Sequence, residues 1–234
     1  MISSSPFIRT RVLSAAYKHT YRGSAYRAVY KPFTGRNASS TTKAPKKSPL
    51  YTRTGDKGTS MLYSGERRSK RDPVFEALGN QDELNAIIGI SRELCEGKEN
   101  GLEDMLVDIQ SRLFDVGAAI ATPPQGSSAN KQARTQFDSR HTEQLEKWID
   151  ILDSALPPLR NFVIPSGGLC STHLNLARSV CRRTERSVVP LLEEGQTDPE
   201  VYRYLNRLSD FLFAAARTAA YKENKEEIIW RKAE

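Results

Sequence analysis

From Asp72 onward, apolar residues recur at steps of three and four, which lines them up along one face of successive α-helices. The first stretch runs from about Pro73 to Cys95. Pro73 suits a first helical turn, Leu84, Ile87, Ile88 and Leu94 form its buried stripe, and Gly97 stops it. In the second, the stripe is Leu102, Met105, Ile109, Leu113, Val116 and Ile120, and Pro123 and Pro124 end it. Residues 125–138 are polar and long for a simple connection, so they read as a flap. The third helix turns Leu145, Trp148, Ile149, Leu152 and Leu156 inward and stops at Pro157 and Pro158. The fourth, from about Gly168 to Glu194, buries Leu174, Ala177, Val180, Cys181 and Val188, with Pro190 bending its last turns before Gly195. Thr197 or Asp198 caps the fifth, where Pro199 takes the first position and Val201, Leu205, Leu208, Leu212, Ala215 and Ala219 face inward. Five helices with mostly short connections, no strand alternation and no internal repeat predict an all-α fold. The expected architecture is a five-helix antiparallel bundle over residues 49–225, followed by a charged tail, 226–234.

Ahead of the bundle the character changes. Residues 51–71 are rich in Gly, Ser and Arg without periodicity, and predict loops or short extended segments lying on the helices. The first 50 positions hold ten of the 35 basic residues and none of the 28 acidic ones. The net charge of +7 therefore sits at the front, and the remainder, 25 basic against 28 acidic, is mildly acidic. Residues 1–48, with Phe7, Ile8, Val12 and Leu13 interspersed with Arg9 and Arg11, have the composition of a disordered organellar transit segment, with processing expected between 30 and 48. The alternative is a basic arm for nucleic acid, but no aromatic stacking platform accompanies the charge. Nowhere does the chain reach the run of about 20 apolar residues needed to span a membrane.

Cys95, Cys170 and Cys181 are an odd count without C-x-x-C spacing. They signal neither a disulfide framework nor a zinc site, and each reads as a small buried apolar residue in a reducing compartment. His19, His141 and His173 form no metal-binding or nucleophile-activating pattern. An enzyme built from this inventory has to work by positioning and electrostatics.

Four segments carry candidate chemistry. In Tyr51-Thr52-Arg53-Thr54-Gly55-Asp56-Lys57-Gly58-Thr59-Ser60, glycines permit tight turns while hydroxyls, N–H groups and Lys57 can surround phosphate oxygens; the plain reading is a solvated turn. The spacing is not that of a Walker A loop. Arg67, Arg68 and Lys70 follow closely, either reaching the same anion or coating the surface. On the fourth helix, Arg178, Arg182, Glu185 and Arg186 fall within an arc of about 100°, while Arg183 points away. Such an array suits forked contacts to phosphate, or is a surface ladder partly neutralised by Glu185. Phe162-Val163-Ile164-Pro165-Ser166-Gly167-Gly168 leads into that helix, and Asn206, Ser209 and Asp210 share a polar face of the fifth.

Thr-Arg-Thr-Gly-Asp-Lys-Gly, Phe75-Glu76-Ala77 to Asp82-Glu83-Leu84, Pro-Ser-Gly-Gly, Cys181-Arg182-Arg183-Thr184-Glu185-Arg186 and Asn-Arg-Leu-Ser-Asp, in that order over about residues 50–222, together resemble the PduO-type ATP:cob(I)alamin adenosyltransferases. The resemblance implies a five-helix bundle assembling as a homotrimer in the mitochondrial matrix, with sites between subunits. Its substrates would be ATP and cobalamin, with Mg²⁺ carried mainly on the phosphates and Glu185 as a further contact. It assigns Thr52, Arg53, Thr54, Gly55, Asp56, Lys57, Ser60, Met61 and Lys70 to ATP, and Arg182, Arg183, Glu185, Arg186 and Asn206 to the nucleotide site of the adjoining subunit. Asp82 and Arg178 would pair between subunits, Phe162 would lie beneath the corrin ring, and Arg186, Phe162 and Arg182 would carry catalysis. Cob(I)alamin would attack C5′ of ATP and expel triphosphate, with a cobalamin reductase and an adenosylcobalamin-dependent mutase as partners. Arg53 and Thr184 depart from the usual Lys and Ala of that family. A non-catalytic ATP- or cobalamin-binding escort is the alternative.

Overall fold

The computed structural model describes Ser48 and residues 50–233, so the basic leader expected over 1–48 lies almost wholly outside the described residues. The five predicted helices are present as α1 (Pro73–Cys95), α2 (Glu103–Ile120), α4 (Arg140–Ser154), α5 (Leu169–Glu193) and α6 (Pro199–Lys222). A sixth helix among the described residues, α3 (Ala129–Thr135), about two turns long, forms inside the stretch expected to be a flap. It is held there because Lys131 donates to the carbonyls of Tyr63 and Ser64, and Gln132 to those of Pro124 and Ser127.

The two proline-led helices start where capping chemistry requires. Asp72 accepts from the Val74 N–H at 3.0 Å ahead of Pro73. Asp198, rather than Thr197, accepts from the Glu200 N–H at 2.9 Å ahead of Pro199. Each such cap is worth about 1 kcal/mol.

Packing runs in the order α2, α1, α5, α6, α4. Three of these contacts are antiparallel. Gly117 of α2 meets Gln81 of α1, and Gln110 meets Asn85 and Arg92 further along. Thr184 of α5 donates to the Asn80 carbonyl, while Cys170 meets Cys95 at the other end. Glu185 of α5 accepts from Asn206 in the first half of α6, while Gly167, just ahead of α5, lies against Ala220 near the end of α6. The last pair runs in the same sense: Glu146 and Trp148 of α4 face Arg207 and Phe211 of α6, and Pro157 just beyond faces Arg217. The 14 residues between Ser154 and Leu169 therefore turn the chain back down into α5.

The stripes of α2, α5 and α6 are buried as their spacing predicts. On α1, Leu84 and Ile88 are buried, but Ile87 and Leu94 are only partly covered, while Asn80, Gln81, Asn85 and Ser91 are inside. The reason is that α1 has neighbours on two sides: Asn85 donates its side-chain amide to the Gln110 carbonyl of α2, Asn80 donates to Glu76 and Ser91 to the Ile87 carbonyl, while the Asn85 side-chain oxygen is buried without a partner. Residue 117 is a glycine because a Cβ there would stand 2.7 Å from the Gln81 side-chain oxygen.

Two small ribbons decorate opposite ends of the bundle. β1 (Thr59–Met61) and β2 (Arg67–Ser69) pair antiparallel near the start of α1, with Ser60 opposite Arg68. β3 (Val163–Ile164) pairs antiparallel with β4 (Ile228–Ile229), so the tail beyond residue 225 contributes a strand rather than only charge.

At the second ribbon Gly167, at φ 85°, lies against α6, where an added Cβ would come within 2.4 Å of the Ala220 Cβ. Gly167→Ala combines left-handed backbone strain with a backbone-level clash, and is expected to destabilise the chain by on the order of 3 kcal/mol in urea denaturation. Gly97→Ala, at φ 71° but with no atom near its Cβ, is expected to cost only about 1 kcal/mol by the same measurement.

Candidate functional site

The loop from Tyr51 to Ser60 closes on itself. The Gly58 N–H donates to the Gly55 carbonyl at 3.1 Å, Gly58 takes φ 73°, and the Thr52 and Thr54 hydroxyls lie 3.0 Å apart. Arg53, at φ 58°, lays its guanidinium over the Tyr51 ring at 5.7 Å. Lys70, from the end of β2, donates its N–H to the Gly58 carbonyl and folds its side chain over Gly55. A Cβ at residue 55 would stand 3.3 Å from the Lys70 Nζ. Lys57 and Lys70 form no ion pair among the described residues, which leaves two cations facing solvent beside a turn of N–H groups and hydroxyls. That is an arrangement suited to polyphosphate oxygens.

The other two cations of this segment have structural work. Arg67 donates to the Thr54 carbonyl at 2.7 Å and the Thr59 hydroxyl at 2.8 Å, clipping the loop to the ribbon. Arg68 is mostly covered; it contacts Glu66 at 2.9 Å, Asp72 at 3.6 Å and the Gln196 side chain at 2.9 Å. The Arg68 guanidinium holds the Glu66 carboxyl below the usual carboxylate range. Met61 is largely exposed and Ser60 half-buried in β1.

On α5 the arginines divide by partner. Arg182 and Arg186 are exposed and make no hydrogen bond or ion pair with another side chain among the described residues. Between them Glu185 is buried and accepts from the Asn206 side chain at 2.9 Å, so the carboxylate is fixed beneath the two guanidinium groups. Arg183 instead pairs with Glu83 of α1. Arg178 stacks over the Phe213 ring at 5.4 Å and is not paired with Asp82, which is exposed and makes no ion pair within the described residues. Asp210 pairs with Arg207 at 3.0 Å, and the Ser209 hydroxyl donates to the Asn206 carbonyl. Neither is aimed at the arginines.

Phe162 stands at the opposite end of the bundle from the Thr-Gly loop. Arg68 ties that loop to Gln196, just past the end of α5, whereas Phe162 precedes the start of α5. Twenty-five residues of helix separate those ends, about 37 Å at 1.5 Å per residue. Phe162 is 81% exposed, yet it is held firmly. Its carbonyl accepts from the Trp230 N–H at 2.8 Å, and the two rings meet edge to face at 6.4 Å. Ser166 donates to the Ile164 carbonyl and accepts from the Ile228 N–H, both at 2.8 Å. The tail is fastened in turn by Arg217, buried on α6, which binds Glu227 at 3.4 Å and the Pro157 carbonyl at 3.0 Å. Trp230 and Arg217 are not singled out from sequence, and Ser166 only as part of the Pro-Ser-Gly-Gly motif. The only signal was the apolar triplet Ile228-Ile229-Trp230 in an otherwise charged tail.

The described residues hold no cluster of three or more metal-ligating side chains. The Glu185 carboxylate is already committed to Asn206.

The family description "cobalamin adenosyltransferase" matches residues 50–219. The chain is 48% identical over 195 residues to the corrinoid adenosyltransferase MMAB of Mus musculus, covering 83% of this chain and 81% of that one. It is 38% identical over 185 residues to a corrinoid adenosyltransferase of Mycobacterium leprae, covering 78% and 95%. Its fold superposes with a TM-score of 0.73 on a variant PduO-type ATP:corrinoid adenosyltransferase from Lactobacillus reuteri complexed with cobalamin and ATP, at 34% identity over 78% of this chain and 99% of that one. With a match over residues 50–219 and relatives at nearly half identity, the chain belongs to the cobalamin adenosyltransferase family.

Proposed function

We propose that this chain transfers the 5′-deoxyadenosyl group of ATP to the Co(I) of cob(I)alamin, giving adenosylcobalamin and triphosphate. The observation that carries the reading is Phe162: a ring 81% exposed to water and pinned by a hydrogen-bonded ribbon is a platform built for a flat apolar partner. Covering such a ring is worth about 2 kcal/mol. A corrin face meets that requirement, and a ring in this position excludes a lower axial ligand from the metal.

The remaining parts have matching roles. Thr52, Arg53, Thr54, Gly55, Asp56, Lys57, Ser60 and Lys70 line the triphosphate, with Met61 beside it. Arg182 and Arg186 take up charge on the departing group, with Glu185, held by Asn206, between them on α5. The electron pair of Co(I) forms the bond to C5′ as the C5′–O bond breaks, and that bonding pair leaves on triphosphate. No proton moves, so the reaction needs no general base. Mg²⁺, carried on the phosphates, adds further charge neutralisation.

Because the phosphate loop and Phe162 occupy opposite ends of one chain, a complete site requires another copy. We infer a homotrimer in which the loop of one subunit faces α5 of the next, with Asp82 and Arg178 pairing across the interface. The basic, acid-free composition of residues 1–48 supports import into the mitochondrial matrix. There an enzyme reducing Co(II) would supply the substrate, and an adenosylcobalamin-dependent mutase would consume the product.

The direct test mixes the chain, freed of its first 48 residues, with ATP, Mg²⁺ and chemically reduced cob(I)alamin without oxygen, and follows adenosylcobalamin by absorbance. ATP bound without cobalt–carbon bond formation would sink the reading in favour of an escort. Arg186→Ala is expected to lower the transfer rate roughly tenfold to a hundredfold, the loss of one charge-assisted contact. Phe162→Ala is expected to lower kcat/KM for the corrin about thirtyfold while the affinity for ATP stays put. Co-refolding equal amounts of a Lys57→Ala/Lys70→Ala chain with an Arg186→Ala chain is expected to restore about a quarter of the sites, since random mixing rebuilds loop and arginine across that share of interfaces. No restoration would place both parts in one subunit.

A further inference from the structure

The expectation that all three cysteines are isolated apolar residues is overturned at two of them. Cys95, the last residue of α1, and Cys170, in the first turn of α5, are joined by a disulfide, with Cα atoms 5.4 Å apart and 75 residues between them in sequence. Spacing of that kind carries no C-x-x-C signature, so only the antiparallel docking of α1 on α5 brings the two together. Cys181 is different in kind. It is fully buried, donates to the Leu205 carbonyl, and burial pushes its thiol well above the ordinary range, which makes it inert.

We propose that Cys95 and Cys170 form a reversible dithiol–disulfide site that fixes the turn carrying Phe162. Three helix ends meet there. Asn100 donates to the Cys170 sulfur at 3.7 Å and accepts from the Leu102 N–H at 3.1 Å, so the start of α2 is fastened to the same point. On the other side of Cys170 the chain passes through Gly168 and Gly167, at φ 94° and 85°, into Ser166 and β3. Two consecutive left-handed glycines are the conformationally freest link between α5 and the Phe162 ribbon. The disulfide anchors the helix side of that link, and Ser166 with β4 anchors the other.

Both sulfurs are covered, at 2% and 1% residue exposure, beneath an exposed turn, Glu96–Glu99. Exchange therefore requires local opening of this turn rather than global unfolding. The step is a thiol–disulfide exchange with an external dithiol: its thiolate attacks one cysteine sulfur, the S–S bond breaks, and the second thiol resolves the mixed disulfide. The chain gains two electrons and two protons, and the dithiol becomes a disulfide. The site does not depend on what the chain transfers.

The test uses the intact chain equilibrated with oxidised glutathione or with dithiothreitol. Alkylation in denaturant with mass mapping is expected to label Cys181 alone in the first state and all three cysteines in the second. Amide exchange over residues 162–172 is expected to quicken about tenfold on reduction and to return on reoxidation, with 103–120 unchanged. In Cys95→Ser the exchange of 162–172 is expected to sit at the fast value and ignore dithiothreitol. Three labelled cysteines after oxidised glutathione, or exchange over 162–172 that is the same in both states, would overturn the proposal.

Discussion

α5 lies between α1 and α6, and nearly everything else in the molecule is placed by how it meets them. Leu174, Ala177, Val180, Cys181, Thr184 and Val188 are wholly or almost wholly buried, and small side chains at 177, 181 and 184 let the neighbouring helices approach. Thr184 answers the Asn80 carbonyl on one side while the Cys181 thiol answers Leu205 on the other. With two sides of the helix spent on packing, only one narrow strip remains for solvent. Arg182 and Arg186 stand on that strip, and the buried Glu185 beneath them is tolerable because Asn206 satisfies it.

The same constraint produces the ribbon at the far end. Because α4 runs alongside α6 in the same sense, the chain has to cross the end of the bundle before α5 can descend. That crossing carries Phe162, and the tail leaving α6 emerges beside it. The ribbon is thus a consequence of helix order, closed by Arg217 reaching both Pro157 ahead of the crossing and Glu227 in the tail. A buried guanidinium with two partners is costly to disturb, which explains how an exposed phenylalanine keeps a fixed orientation.

The Thr-Gly loop shows how a flexible segment becomes a shaped one. Its cations are sorted by geometry: Arg67 and Arg68 are consumed in holding the loop, while Lys57 and Lys70 stay exposed without an ion pair among the described residues. Charge count gives no hint of that division, since all four are basic residues within 14 positions. The loop and the Phe162 ribbon stand at opposite ends of α5, about 37 Å apart along the bundle.

Helix positions, the proline-led starts and the inward stripes of α2, α5 and α6 were determined by sequence alone, because helical period and capping depend on residues three or four apart. The motifs that mark the family are equally local. Tertiary structure decided what depends on partners tens of residues away: the parallel placement of α4, the tail strand at β3, and Asp198 as cap with Thr197 buried. It likewise decided Arg183 on Glu83, Arg178 over Phe213, and Cys95 bonded to Cys170 while Cys181 stays free. On α1 the expected stripe shifted because a helix packed on two sides no longer shows a single apolar face. A side chain's chemistry is written at its own position, but which group answers it is set by packing, and packing belongs to the whole chain.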